Sequence, residues 1–176
     1  MKFEVPDNKS LSEGFELFKG LYRENEFIEQ SEVNVVVKIL ENPDYHFSIF
    51  GYELFPGRIY LKPHDYMHVL CNSPGTNNGE AFVIGATMGS TGKMNWFKSF
   101  LYLWLTNFFA PKMFHFNSEA RKIFYRVSRE AGALAKRGAL KDLSKFEPEL
   151  YLNNQVGSVR KTLGIDLLLQ KCTYSE

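Results

Sequence analysis

The eight residues Asn72-Ser73-Pro74-Gly75-Thr76-Asn77-Asn78-Gly79 are all turn formers. The sequence on both sides carries helical signals, so the chain must reverse here between two helices. Upstream, Pro63 suits a first helical turn, and Asp65 in that turn would be favoured by the helix dipole. Downstream, a second helix is expected to begin near Glu80. A helix–loop–helix unit is therefore the first element that any fold of this chain has to contain.

The two flanks of that loop carry the chemistry. His64 and His68 are four residues apart, which puts both imidazoles on one face of a helix. Asp65 lies on the adjacent flank of that face. Glu80 follows His68 after an eleven-residue gap, on the far side of the turn. Imidazole and carboxylate together suit zinc and other divalent transition metals. His64, Asp65, His68 and Glu80 are thus candidate metal ligands. The plainer reading is a pair of surface histidines with two acids that serve helix N-termini. Cys71, three residues after His68, is either a competing soft ligand or a small buried thiol. His46 and His115 have no partner at a ligand spacing and read as structural.

The remaining periodicity is also helical. Leu11, Phe15, Phe18, Leu21 and Tyr22 recur at helical spacing, with Ser10 or Ser12 available as a cap. Ser31–Leu40 mixes a helix-start signal with strand-prone valines and is read as a helix ended by Asn42-Pro43-Asp44. Tyr45–Tyr60, broken by Gly51, Pro56 and Gly57, reads as an irregular connection. Ala81, Gly85 and Gly89 form a small-residue stripe, for close helix packing or for a ligand. Trp96–Phe109 is apolar but too short to span a bilayer. It reads as a buried core helix, with a membrane interface as the alternative, and Pro111 stops it. Ile123, Val127, Ala131 and Ala135 mark a helix over residues 118–137. Val156–Leu163 ends at Gly164, a good C-cap. The expectation is an all-α, single-domain multi-helix fold over residues 1–176 with a helix–loop–helix metal motif.

Composition sets limits. At 176 residues the chain can bury one sizeable core but hardly two. A net charge of +1 argues against a nucleic-acid partner, which would call for a basic excess. Two cysteines do not make a disulfide framework, so a reducing compartment is expected. The N-terminal residues lack the apolar run of a secretory signal.

His64-Asp65-x-x-His68, eleven residues and Glu80 resemble the zinc-motif pattern of the coenzyme Q biosynthesis protein 4 family. The neighbouring residues agree: Tyr60 before the motif, His68-Val69-Leu70 after it, and Gly79-Glu80-Ala81 at the second limb. Val159-Arg160-x-x-Leu163-Gly164-Ile165 resembles that family's closing helix. The likeness covers about the last two-thirds of the chain; the part up to about Arg58 and the run Ile59-Tyr60-Leu61-Lys62-Pro63 depart from it. The resemblance implies a mostly helical protein holding a divalent metal, with zinc the first expectation. It implies a role in ubiquinone biosynthesis: removal of the ring carboxylate at C1 of a prenylated 4-hydroxybenzoate-type precursor, with oxidation at that carbon. Asp65 and Glu80 would then be the catalytic carboxylates. The alternative is a non-catalytic lipid-binding scaffold that organises other quinone-biosynthesis proteins. Either role implies a prenylated aromatic or quinone-like lipid as partner and a cytoplasmic location at the inner membrane face. A metal-dependent hydrolase is disfavoured, because no second His/Asp cluster and no Gly-x-Ser-x-Gly element is present.

Overall fold

The computed structural model describes residues 3–22, 48–49, 52–109 and 116–172. The fold is all-α. Among the described residues the helices are α1 (Leu11–Tyr22), α2 (Leu61–Leu70), α3 (Asn77–Ser90), α4 (Trp96–Phe109), α5 (Ser118–Lys136), α6 (Val156–Leu163) and α7 (Ile165–Lys171). A two-residue antiparallel pair, β1 (Ser48–Ile49) and β2 (Tyr52–Glu53), interrupts the connection expected to be irregular. The expected helix at Ser31–Leu40, as well as His46, Pro111 and His115, lie outside the described residues.

Helices α3 and α5 form the centre. Asn117 caps α5 by accepting from the Ala120 amide at 2.8 Å. The helix then buries Ala120, Ile123, Phe124, Val127, Ala131 and Leu134; Leu134, rather than Ala135, completes the face. The small-residue stripe of α3 lies directly against this face. A Cβ on Gly85 would stand 3.0 Å from the Phe124 carbonyl, and one on Gly89 would stand 2.5 Å from that of Ser128. Glycine is needed here because two helix backbones touch, and the stripe offers no room to a ligand.

Three boundaries differ from expectation. Helix α2 starts at Leu61, so Asp65 is its fifth residue and falls outside the first turn. Helix α3 starts at Asn77, because Thr76 serves as its N-cap and accepts from the Gly79 amide. Gly164, at φ 81°, ends α6 as expected, but the chain re-enters a helix at once as α7, which sequence reading missed.

Helix α4 corrects the expectation of a buried helix. Trp96 is 75% exposed, Phe108 65% and Trp104 52%, with Phe97 and Phe100 also on the outside. The inward face carries Ser99, Tyr102, Leu103 and Thr106. Thr106 can face the core because its hydroxyl donates to the Tyr102 and Leu103 carbonyls at 2.9 and 3.1 Å. The helix therefore turns Ser99 and Thr106 inward beside Tyr102 and Leu103, and its tryptophans and Phe97, Phe100 and Phe108 outward. No helix among the described residues is long and apolar enough to cross a membrane.

Candidate metal centre

Helix α2 contributes both imidazoles and α3 the carboxylate. The turn between them is pinned at several points. The Ser73 amide donates to the His68 carbonyl at 2.9 Å, and the Ser73 hydroxyl donates to the Gly79 carbonyl at 3.0 Å. A Cβ on Gly79 would collide with the Pro74 carbonyl, so only glycine fits immediately before Glu80. Glu80 then stands in the first turn of α3, where the helix dipole favours its charge.

Beneath the turn, buried Arg160 of α6 holds the end of α2. Its Nε donates to the Leu70 carbonyl at 2.8 Å and its Nη2 to the Val69 carbonyl at 2.9 Å. It also reaches the Asn72 side-chain oxygen at 2.5 Å and Asp7 at 2.6 Å. The Leu70 and Val69 carbonyls are among those that a helix C-terminus leaves without intrahelical partners. Asn72 itself adopts φ 49°, which turns the chain out of the helix.

The three side chains converge. His64 Nε2 lies 2.9 Å from Glu80 Oε2, His68 Nε2 lies 3.1 Å from Glu80 Oε1, and the two Nε2 atoms are 3.1 Å apart. His68 is 1% exposed, and its ring stacks on Phe18 of α1 at 4.9 Å. Its Nδ1 lies 3.1 Å from the Ser73 carbonyl. A carbonyl only accepts, so Nδ1 carries the proton, and in the neutral ring Nε2 is left as the lone-pair atom. This is the outer hydrogen bond that a metal-bound histidine ordinarily makes. Burial pushes the Glu80 carboxyl upward, but His68 and His64 outweigh it and hold the group below the usual carboxylate range.

These residues fit a divalent ion. Atoms that share one zinc at about 2.0–2.2 Å stand roughly 3 to 3.5 Å from one another. Lone pairs gathered this closely need a proton or a cation among them. Two histidines and one carboxylate also form the donor set of catalytic zinc sites and of non-haem iron sites with open positions.

His64, His68 and Glu80 are the sequence-predicted ligands that the fold brings into one group, with ligand atoms within 4.8 Å of one another. Asp65, half-buried on α2, is not in that group. Nor is Cys71: it is buried, and burial pushes its thiol up to about 12, so it remains protonated at neutral pH and is a poor metal ligand. Sequence reading missed Arg160 as the anchor of the turn, although its helix was recognised.

Beside His64 opens a small cleft bordered by Arg58, Ile84, Thr87 and Tyr102. No protein-family model, curated protein or solved structure matches the chain.

Proposed function

We propose that this chain is a metal-dependent enzyme of ubiquinone biosynthesis, acting on a prenylated 4-hydroxybenzoate-type acid. The observation that carries the reading is the convergence of His64, His68 and Glu80, with His64 bordering a cleft. Three protein ligands leave coordination positions for a substrate, whereas a closed set of four would suit a structural ion. The motif spacing and its neighbouring residues, which resemble the coenzyme Q biosynthesis protein 4 family, supply the substrate class.

The reaction exchanges the ring carboxyl at C1 for a hydroxyl. Acid and water yield the phenol, carbon dioxide, two protons and two electrons, and an oxidant such as dioxygen takes up the electrons. A bound divalent ion, zinc first, supplies Lewis acidity that holds ring oxygens and stabilises negative charge on the ring. The chain's residues do the rest. Ser73 fixes the His68 ring, Glu80 keeps both imidazoles paired, and Asp65 orients His64 or the substrate. Asp65→Asn is then expected to retain metal but lose turnover, and Glu80→Ala to lose both.

The test is conversion of a short-tailed 4-hydroxybenzoate derivative in an extract that lacks the endogenous activity. Wild-type protein is expected to form the decarboxylated, hydroxylated ring, and the His64→Ala/His68→Ala protein none. Full product formation by the double variant would rule out catalysis by the metal. It would leave the second reading, a lipid-binding scaffold for quinone-biosynthesis proteins.

For a membrane-surface location the supporting feature is α4. Its exposed Trp96, Phe97, Phe100, Trp104 and Phe108 supply the aromatic face that interfacial helices use. Between Glu80 and Glu119 the sequence has no acidic residue and carries Lys93, Lys98 and Lys112, a balance that suits anionic lipid. In sedimentation with vesicles, the protein is expected to favour phosphatidylglycerol over phosphatidylcholine. Trp104→Gln/Phe108→Gln should weaken that binding by roughly 10-fold or more, since two large apolar side chains leave the interface. Unchanged vesicle binding by this variant would remove α4 from the membrane contact.

A further inference from the structure

The carbonyl that orients His68 belongs to Ser73, so whatever fixes Ser73 also fixes the donor atom of the metal centre. Ser73 is buried and directly follows Asn72, the residue at which the chain leaves α2 with φ 49°. The Asn72 side-chain oxygen is held from two distant parts of the chain. The Val5 amide, 67 residues away, donates to it at 2.9 Å. Arg160 Nη2 of α6, 88 residues away, donates to it at 2.5 Å. Both lone pairs of that oxygen are thereby engaged, and the side chain is held in one orientation.

The segment Phe3–Asp7 is itself clamped in place. The Asp7 carboxylate accepts from Arg160 Nη1 at 2.6 Å, and the Val5 carbonyl accepts from the same nitrogen at 3.4 Å. A guanidinium as buried as this one is costly without a carboxylate partner, and Asp7 supplies it. Asp7 also lies on the backbone of α6: a Cβ on Gly157 would stand 2.8 Å from Asp7 Cβ and Cγ. The Gly157 and Val156 amides, at the start of α6 where a helix leaves donors free, donate to the Asp7 and Lys9 carbonyls at 3.0 and 2.8 Å. On the other side, Val5 packs where α1 meets α2. A Cβ on Gly14 would stand 2.9 Å from Val5 Cγ1 and 2.8 Å from Val69 Cγ1. Phe3 meets Phe18 edge-on at 5.6 Å, and Phe18 is the ring that stacks on His68. This short segment therefore reaches both supports of His68, the Ser73 carbonyl through Asn72 and the ring face through Phe18.

We propose that Phe3–Asp7 is a positioning element of the metal centre. Through Asn72 and Arg160 it sets the Ser73 carbonyl, and so fixes which nitrogen of His68 is turned toward His64 and Glu80. The ion rests on the metal reading above; the orientation of His68 does not, and neither depends on the substrate.

Asn72→Gly is the sharpest test, since glycine keeps the left-handed turn and removes the shared acceptor. Arg160→Lys keeps the charge but loses the fork that reaches Leu70, Val69 and Asn72 together. Long-range proton–nitrogen correlation spectra of metal-free protein at alkaline pH report which His68 nitrogen carries the proton. Wild-type protein should show the Nδ1–H form alone, and each variant a mixture of the two neutral forms. Competition with a chromophoric chelator reports zinc affinity, which should fall about 10-fold in both, the lower end of what loss of an outer partner does. Where these variants do not fold, Asp7→Asn serves, with an expected loss of roughly 3-fold because a neutral acceptor replaces a charged one. Leu134→Ala, in the core near the C-terminal end of α5, is the control for stability alone. It should lower the urea midpoint and leave both readouts at wild-type values. If wild-type protein binds no zinc, the metal reading fails and the His68 spectra decide: a mixture confined to the segment variants supports the positioning role. A single Nδ1–H form in wild type and folded variants alike overturns the proposal. So does unchanged zinc affinity in variants of a zinc-binding wild type, or an equal change in Leu134→Ala.

Discussion

His68→Ala is expected to strip the protein of stoichiometric metal. His68 is the most buried member of the group, and its ring is fixed from two sides, by the Ser73 carbonyl and by the Phe18 ring. Its removal takes away an oriented donor and leaves two groups that cannot close around an ion. Loss of an outer partner alone typically lowers metal affinity by about 10- to 100-fold, so loss of this ligand should cost roughly 100-fold or more. Elemental analysis of purified protein measures it, with circular dichroism to verify the fold. Asp65→Ala in the same experiment should keep its metal, because Asp65 stands outside the converging group. Metal loss in that variant would make Asp65 a fourth ligand. Wild-type metal content in His64→Ala/His68→Ala would place any bound ion elsewhere.

Gly89→Leu is expected to damage the central helix pair severely. Its first side-chain carbon would already stand 2.5 Å from the Ser128 carbonyl and 2.9 Å from Ala131 Cβ. These neighbours are the backbone and the smallest side chain of α5, so little can give way. The helices would have to separate along their central contact, at an expected cost of about 3 kcal/mol or more. Gly85→Leu should act in the same direction through Phe124. Gly132→Ala is the control: its Cβ would meet the Gly89 carbonyl at an ordinary 3.5 Å. Alanine also favours the helix there, by up to about 1 kcal/mol. Urea unfolding midpoints distinguish these outcomes. A Gly89→Leu protein with the wild-type midpoint would mean that α3 and α5 are not in backbone contact and that the stripe is open after all.

The candidate site was more legible in the sequence than its supports. Four-residue spacing puts His64 and His68 on one face whatever else the fold does, and a glycine- and asparagine-rich turn returns the chain to Glu80. Both follow from local geometry. Asp65 shows the limit of that reasoning: neighbouring a ligand in sequence leaves its side chain about a quarter-turn around the helix, and the final direction depends on where α3 lies. Arg160 lies 90 residues from Leu70, so nothing local tells that its guanidinium ends α2. Helix α4 failed for another reason. Its residues are apolar nearly all round, so periodicity had little to distinguish inside from outside. The marks were Ser99 and Thr106, seven residues apart on one face. Hydroxyls usually signal the wet side, but Thr106 satisfies itself on the preceding turn and so can face the core. The glycine stripe favoured close packing over ligand space in the sequence, and α5 lying along it settles the matter.

The central claim is that His64, His68 and Glu80 hold one divalent ion with positions left open. The most direct measurement is a crystal structure of metal-loaded protein, with diffraction recorded on both sides of the metal's absorption edge. The account predicts one anomalous peak per chain, within bonding distance of both Nε2 atoms and the Glu80 carboxylate, with Asp65 outside that distance. A chain without such a peak, or with its ion bound at Cys71 or elsewhere, would contradict it.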